Sequence, residues 1–227
     1  MTRGIIYFAY KCRYLKECHV SISTVRRLTD LPITVFTPTP DKFPQIDGVD
    51  ISQANHRGLY AQTYACANSP YDETLYLDVD TIIIDNEAFL PFEMLQNFDV
   101  AAVHAPFKGY VKMPELPDCF PQFNCGVIFF NSKVQPTMER WFEYQHGKDR
   151  NQPSFASLMY ASSCRIATLP TEWNYRGFKH QFIENFKQVH IAHNRRFHRF
   201  VKPDGSVRHK AIMRHWAKVQ RGYLLKQ

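Results

Sequence analysis

Short apolar runs alternate with amphipathic stretches along most of this chain, and that alternation is its main structural signal. Gly4 to Ala9 is a compact apolar run that suits a buried strand. From there, Leu15, Cys18, Ile22, Val25 and Leu28 recur at three- and four-residue spacing, with Lys16, Arg26 and Arg27 between them, which predicts an amphipathic helix. It stops at Thr29-Asp30-Leu31-Pro32, because the residue before a proline is pushed out of helical geometry. Ile33 to Thr37 and Val49 to Ser52 predict strands, and Leu59 to Ala67 predicts a helix closed by Ser69-Pro70. Leu75 to Leu77 reads as a strand running into Asp78-Val79-Asp80, after which Thr81 to Ile84 resumes apolar strand.

The second half continues in the same way. Phe92 to Gln96 predicts a short helix and Val100 to Val103 a strand. Residues 105–122, rich in proline, predict a long surface loop before a strand at Gly126 to Phe130. Helices follow from about Thr137 to Tyr144 and from Ser154 to Tyr160, then a strand at Val189 to Ala192 and a terminal helix at Ala211 to Leu225. Strands alternating with helices predict an α/β fold with a mainly parallel central sheet flanked by helices. We expect one domain over residues 1–200 and a basic, helical C-terminal extension over 201–227.

Composition narrows the classes. With 44% hydrophobic and 22% charged residues, the 227-residue chain has material for a packed core, which excludes wholesale disorder. Its apolar runs fall far short of the roughly 20 residues that cross a bilayer. The opening MTRGIIYFAYK lacks a small-residue cleavage site, so it reads as a buried strand and the expected location is cytoplasmic. The six cysteines contain no C-x-x-C pair; Cys12/Cys18 and Cys119/Cys125 are spaced too widely for an ordinary structural zinc pair, and all six read as reduced core thiols. The net charge of +7 is uneven: residues 176–227 carry thirteen Lys/Arg against Glu184 and Asp204. Such a tail implies an anionic partner, or else a solvated basic helix.

The sharpest chemical feature is Tyr76-Leu77-Asp78-Val79-Asp80-Thr81. Two carboxylates beside a core are costly unless a cation compensates them. In an extended segment, side chains two apart point to the same side, so Asp78 and Asp80 converge. Converging carboxylates beside a diphosphate suit a hard divalent cation, Mn²⁺ or Mg²⁺. Neither G-x-G-x-x-G nor G-x-x-x-x-G-K-[ST] is present, so a phosphate would be neutralised by metal and basic side chains. The absence of G-x-S-x-G and H-E-x-x-H counts against hydrolases.

With these residues in view, the chain resembles glycosyltransferases of the A-type fold, in layout the family-8 group that includes glycogenin and bacterial lipooligosaccharide galactosyltransferases. The resemblance covers roughly residues 4–193, in segments. IIYFAYKCRYLKECHVSIST resembles the family's uridine-binding start, which implies donor contacts from Ala9, Tyr10, Lys11 and Tyr14. YLDVDTIII resembles its metal-binding strand, which implies that Asp78 and Asp80 hold the metal and that Asp78 and Val79 also touch the donor. FNCGVIFFN resembles the segment whose asparagine touches the donor sugar, here Asn124 with Gly126 beside it. Asn151-Gln152-Pro153 falls near the anomeric carbon, and since Asn151 stands where the family has aspartate, Gln152 is the sugar-side candidate. LPTEWNYR implies a role for Asn174, and IAHN places His193 as third metal ligand. Lys11 stands where the family often has an aspartate that reads uracil. The Lys-Pro-Trp that follows the family's histidine is missing, with only a displaced Lys202-Pro203, so Arg195, Arg196 or Lys202 takes over the diphosphate clamp.

His190 competes with His193, but in a strand the two point to opposite sides. The implied activity is metal-dependent transfer of a sugar from a nucleotide-diphosphate donor, a UDP-sugar foremost, to a hydroxyl of a glycan or other acceptor. Asp118, Asp149 and Glu172 are the carboxylates an inverting reaction would draw on. Two other readings stand beside it. One is sugar-1-phosphate nucleotidyl transfer, whose usual glycine-rich first loop YFAYKCRY lacks. The other is binding to nucleic acid or an anionic membrane through the basic C-terminus, where Phe197, Phe200, Trp216 and Tyr223 interleave with Arg and Lys. No nucleic-acid motif accompanies that segment, so a specific nucleic-acid partner is not expected.

Overall fold

The computed structural model describes residues 1–52, 59–105, 116–145, 151–177 and 189–224, and among these, nine strands and six α-helices follow one another. The first half runs β1 (Arg3–Phe8), α1 (Cys12–Arg26), β2 (Ile33–Thr37), β3 (Asp47–Asp50), α2 (Leu59–Ala67), β4 (Glu73–Leu77) and β5 (Thr81–Ile83). The second half runs α3 (Pro91–Met94), β6 (Val100–His104), β7 (Phe123–Asn131), α4 (Gln135–Gln145), α5 (Asn151–Ala161), β8 (Ile166–Leu169), β9 (Ile191–His193) and α6 (His209–Leu224). The expected α/β class is therefore present. Residues 106–115 of the proline-rich segment lie outside the described residues.

Seven strands form one sheet in the order β3-β2-β1-β4-β7-β6-β8. The pairs β1–β2, β2–β3, β1–β4 and β6–β8 are parallel, whereas β7 runs antiparallel to both neighbours. Strands β2, β4 and β7 are buried on both faces, which is why they read as continuous apolar runs, whereas β3 and β8 at the two edges are partly exposed. Along β1, Ile5 and Tyr7 face one core with Val25 of α1, while Ile6 faces a second core with Ala61 of α2, Trp141 of α4 and Phe155 of α5. Leu75, Leu77 and Tyr76 of β4 divide in the same way.

A separate two-stranded ribbon pairs β5 with β9, with Thr81 opposite His193. Buried hydroxyls of α1 anchor this ribbon: Ser21 Oγ lies 3.1 Å from Thr81 Oγ1 and 2.9 Å from the Tyr7 hydroxyl, and Thr24 Oγ1 accepts the Ile83 N–H at 2.9 Å. Behind it, a third core gathers Ile82, Ile84, Tyr175, Val189, Ala192, Phe197 and Ile212. Helix α6 joins this core through Ile212 and contacts the Arg195–Phe200 segment, and its Lys210, Arg214 and Lys218 are exposed. Of the cysteines expected in the core, Cys12 and Cys119 are exposed; Cys12 opens α1 and Cys119 sits in the loop before β7, where neither packs against a strand face. Among the described residues, no helix is long and apolar enough to cross a membrane.

Candidate active site and metal centre

In a sheet ordered β2-β1-β4, the chain leaves β1 toward β2 on one side, and β4 lies on the other. Such a switch opens a crevice at the carboxyl ends of the strands. A cavity of about 400 Å³ occupies that position here. The segment after β1 and the start of α1 supply Phe8, Tyr10, Tyr14 and Glu17; the end of β4 and the turn after it supply Tyr76, Asp78, Val79 and Asp80. Gln62 of α2, Arg176, His193 and Arg195 complete the wall.

Asp78 and Asp80 converge, but not by alternation along a strand. Strand β4 ends at Leu77, and residues 78–81 form a turn in which the Asp78 carbonyl accepts the Thr81 N–H at 3.1 Å and the Thr81 hydroxyl at 2.8 Å. The Asp78 N–H donates to the Gly126 carbonyl at 2.8 Å, so the turn is stitched to β7. The reason is local: β5 belongs to a different sheet, and the chain must bend to reach it.

Strand β9 brings His193 to this turn. Its backbone N–H donates to Tyr175 O at 2.7 Å, and its Nε2 lies 3.3 Å from Asp78 Oδ2 and 3.1 Å from Asp80 Oδ1. The three ligand atoms lie within 4.8 Å of one another, the one such group among the described residues. The 3.1 and 3.3 Å separations are those of octahedral edges with bonds of about 2.2–2.3 Å, so the donor set fits a hard divalent cation. Gly126 is part of the fit: a Cβ there would meet His193 Cε1 at 2.1 Å and Asp78 Oδ2 at 2.5 Å. His190, the competitor, points elsewhere, its Nδ1 lying 2.8 Å from Asp85 Oδ1 and its ring against Trp173.

The charges reinforce one another. Burial alone would lower the His193 pKa, but hydrogen bonds donated to Asp78 and Asp80 outweigh it and raise the ring to about 9. Burial works to raise the Asp80 pKa, yet His193, Arg176 and His198 hold it below the ordinary carboxylate range. The Tyr76 phenol, pushed well up by burial and then by Asp78, donates to Asp78 Oδ1 at 2.8 Å, which turns Oδ2 toward His193.

Of the other residues singled out in the sequence, Tyr10, Tyr14, Val79 and Arg195 line the cavity. Ala9 is buried and ties the end of β1 to Phe36 O at 3.0 Å. Lys11 is exposed, its ammonium 5.7 Å from the Tyr10 ring centre, and its backbone adopts φ +74°. Asn124 and Asn174 are buried behind the ligands: His193 Nδ1 lies 2.8 Å from Asn174 Oδ1, and Asn174 Nδ2 donates to Asn124 Oδ1 at 3.0 Å. Gln152 is half-buried in the first turn of α5 and does not line the cavity. Its neighbour Asn151 donates to Gln62 Oε1, and Gln62 Nε2 donates to Cys125 O at 2.6 Å. Asp118 is exposed, Glu172 is buried, and Asp149 lies outside the described residues.

Glu17, Gln62, Phe8 and Arg176 were not singled out by sequence. Glu17 sits at a polar helix position like many others, and Gln62 is placed by partners remote in sequence, the Cys125 carbonyl 63 residues away and the Asn151 amide 89 residues away. Burial raises the Glu17 pKa, which Arg13 at 3.2 Å partly offsets.

No protein-family profile matches the sequence, and no curated protein matches it. Solved structures share its fold. The glycosyltransferase GlyE of Streptococcus pneumoniae TIGR4 superposes with a TM-score of 0.61 at 18% identity, over 100% of this chain and 64% of that one. The chain therefore spans just under two thirds of the length of GlyE. The galactosyltransferase LgtC, solved with donor and acceptor sugar analogs, gives 0.61 at 14% identity over 95% of each chain. Mouse xyloside xylosyltransferase 1 gives 0.58 at 14% identity over 86% of this chain and 98% of its own. The resemblance to A-type glycosyltransferases drawn from the sequence holds at the level of the fold.

Proposed function

We propose that this protein transfers a sugar from a nucleotide-diphosphate donor, a UDP-sugar foremost, to a hydroxyl of a glycan or other acceptor. The observation that carries the reading is the convergence of Asp78, Asp80 and His193 in a cavity at the carboxyl ends of β1 and β4. These three side chains would hold a divalent ion, Mn²⁺ or Mg²⁺, which when bound neutralises charge on the diphosphate leaving group. Residues 1–200 supply this chemistry and 201–227 extend it.

The chain's own groups have separable tasks. Phe8, Tyr10 and Tyr14 present an aromatic wall suited to a nucleoside base. Arg176 and Arg195 line the same cavity, where guanidinium groups would stabilise the departing diphosphate as charge develops on it. Gln152 lies in the turn whose Asn151 grips the wall residue Gln62, which supports its place on the sugar side. The acceptor hydroxyl must lose a proton, either to the departing phosphate on the same face or to a carboxylate opposite it.

Calorimetric titration of UDP, and separately GDP, into metal-stripped protein with and without Mn²⁺ tests the reading. Manganese-dependent UDP binding that is lost in Asp80→Ala is the expected result, followed by slow hydrolysis of a UDP-sugar. Failure of both nucleotides to bind under every metal condition would overturn it.

A further inference from the structure

We infer that Asn124 and Asn174 are positioning residues that fix the neutral tautomer of His193, so that its Nε2 lone pair faces Asp78 and Asp80. The inference rests on the reading of those three side chains as a metal site.

The argument runs from a donor that cannot change identity. The Gly126 backbone N–H donates to the side chain of Asn124 at 3.0 Å, and an N–H there can be met only by an oxygen. That fixes which end of the Asn124 amide is Oδ1. The same Oδ1 lies 3.0 Å from the Asn174 side chain, so the Asn174 group facing it must be the amino group. The Asn174 oxygen is thereby turned toward His193, 2.8 Å from Nδ1. An oxygen there accepts, so Nδ1 carries the proton. In the neutral ring Nε2 is then the bare nitrogen, and it points at Asp78 Oδ2 and Asp80 Oδ1.

Each link is buried: Asn124 is 3% exposed, Asn174 1% and His193 3%. Water therefore cannot readily substitute for a missing partner, and reversing either amide would set two donors or two acceptors face to face. A ligating histidine is held by what its second nitrogen donates to, and here that acceptor is a side-chain amide oxygen. Gly126 thus acts twice, through the missing Cβ that admits the ring and through the N–H that sets its tautomer.

Two measurements test this. In protein labelled with ¹⁵N-histidine and loaded with UDP and a diamagnetic divalent ion, Mg²⁺, the His193 ring is expected to show a protonated Nδ1 and an unprotonated Nε2. Its signals are identified by their loss in His193→Gln. A proton on Nε2 in the loaded protein would overturn the inference, and this readout requires no relay variant. Second, Mn²⁺ affinity in the presence of UDP is measured in native protein and in a variant of Asn174. Asn174→Leu, which removes the acceptor at similar volume, is expected to bind 10–100-fold more weakly than the native protein. Equal affinity in native protein and Asn174→Leu would overturn the relay. Absence of Mn²⁺ binding in the native protein would sink the metal reading instead.

Discussion

Gly126 shows how much of the site depends on one missing side-chain atom. Its position is close to both His193 and Asp78, and the backbone there is already committed, with the carbonyl on Asp78 N and the N–H on Asn124. Neither neighbour is a flexible tip that can swing aside, since His193 lies on β9 and is held at both ring nitrogens. Gly126→Ala is therefore expected to lose manganese-dependent UDP binding and to lower the melting temperature, measured by calorimetry and thermal unfolding. Unchanged binding would show that the ring can move without cost. Lys11 makes the opposite case. Its φ of +74° with ψ of 148° is a conformation suited to glycine, held where β1 turns into α1 beside the cavity. Lys11→Gly should relieve that strain and stabilise the fold by about 1 kcal/mol in chemical denaturation, after allowing for the greater freedom of the unfolded chain. The aspartate pair was legible in the sequence because charge amid strand-like residues is costly and stands out. The strain at Lys11 was not, because lysine carries no local signal for positive φ.

Among the elements, β8 explains what sequence pattern could miss. Ile166–Leu169 is a four-residue edge strand with alternating burial, too short for its periodicity to register, and it is held by contacts remote in sequence. Asp99, just before β6, is their centre. Its N–H donates to Arg165 O at 2.8 Å and its carbonyl accepts the Asn131 N–H at 3.1 Å. Its carboxylate accepts the Arg165 N–H at 2.9 Å and a guanidinium fork at 3.2 and 3.3 Å. One residue thus sets the register of β6, β7 and β8. The Arg165 hydrogen bond, against a smaller opposing effect of burial, holds the Asp99 carboxyl below the ordinary range. A depressed folded pKa contributes stability that is present above the unfolded value of about 3.9 and lost as pH falls through the folded one. Asp99→Asn should accordingly lower the melting temperature by a few degrees at pH 7. The gap from the native protein should close as the pH drops below that range; a gap constant across it would assign the effect to packing alone. The strand–helix alternation of the first half was plain in the sequence because each element buries its own apolar face. The reversed direction of β7 and the turn at residues 78–81 were not, because both follow from which strand pairs with which.

Across the whole molecule, the third core ties the C-terminal helix to the ligand set. Ile212 of α6 packs with Phe197, Tyr175 and Ala192; Tyr175 O receives the His193 N–H, and Ala192 adjoins His193 in β9. The basic segment that the sequence marked only by its charge is thus also a structural support for the site. These two aspects make different predictions. Ile212 is completely buried, so Ile212→Ala should cost about 2–5 kcal/mol by loss of contacts and an unfilled cavity. Because the cavity opens in the core that also holds Ala192, the neighbour of His193, Mn²⁺ affinity should fall in the variant even at temperatures where it remains fully folded. Lys210, Arg214 and Lys218 share the exposed side of the same helix. Replacing all three with glutamine should leave unfolding within about 0.5 kcal/mol per site and Mn²⁺ affinity unchanged, since solvated charges contribute little. Denaturation and calorimetry on both variants separate the outcomes. If the charge variant loses metal affinity and the Ile212 variant keeps it, the helix acts on the site through its field, and the packed route from α6 to His193 is wrong.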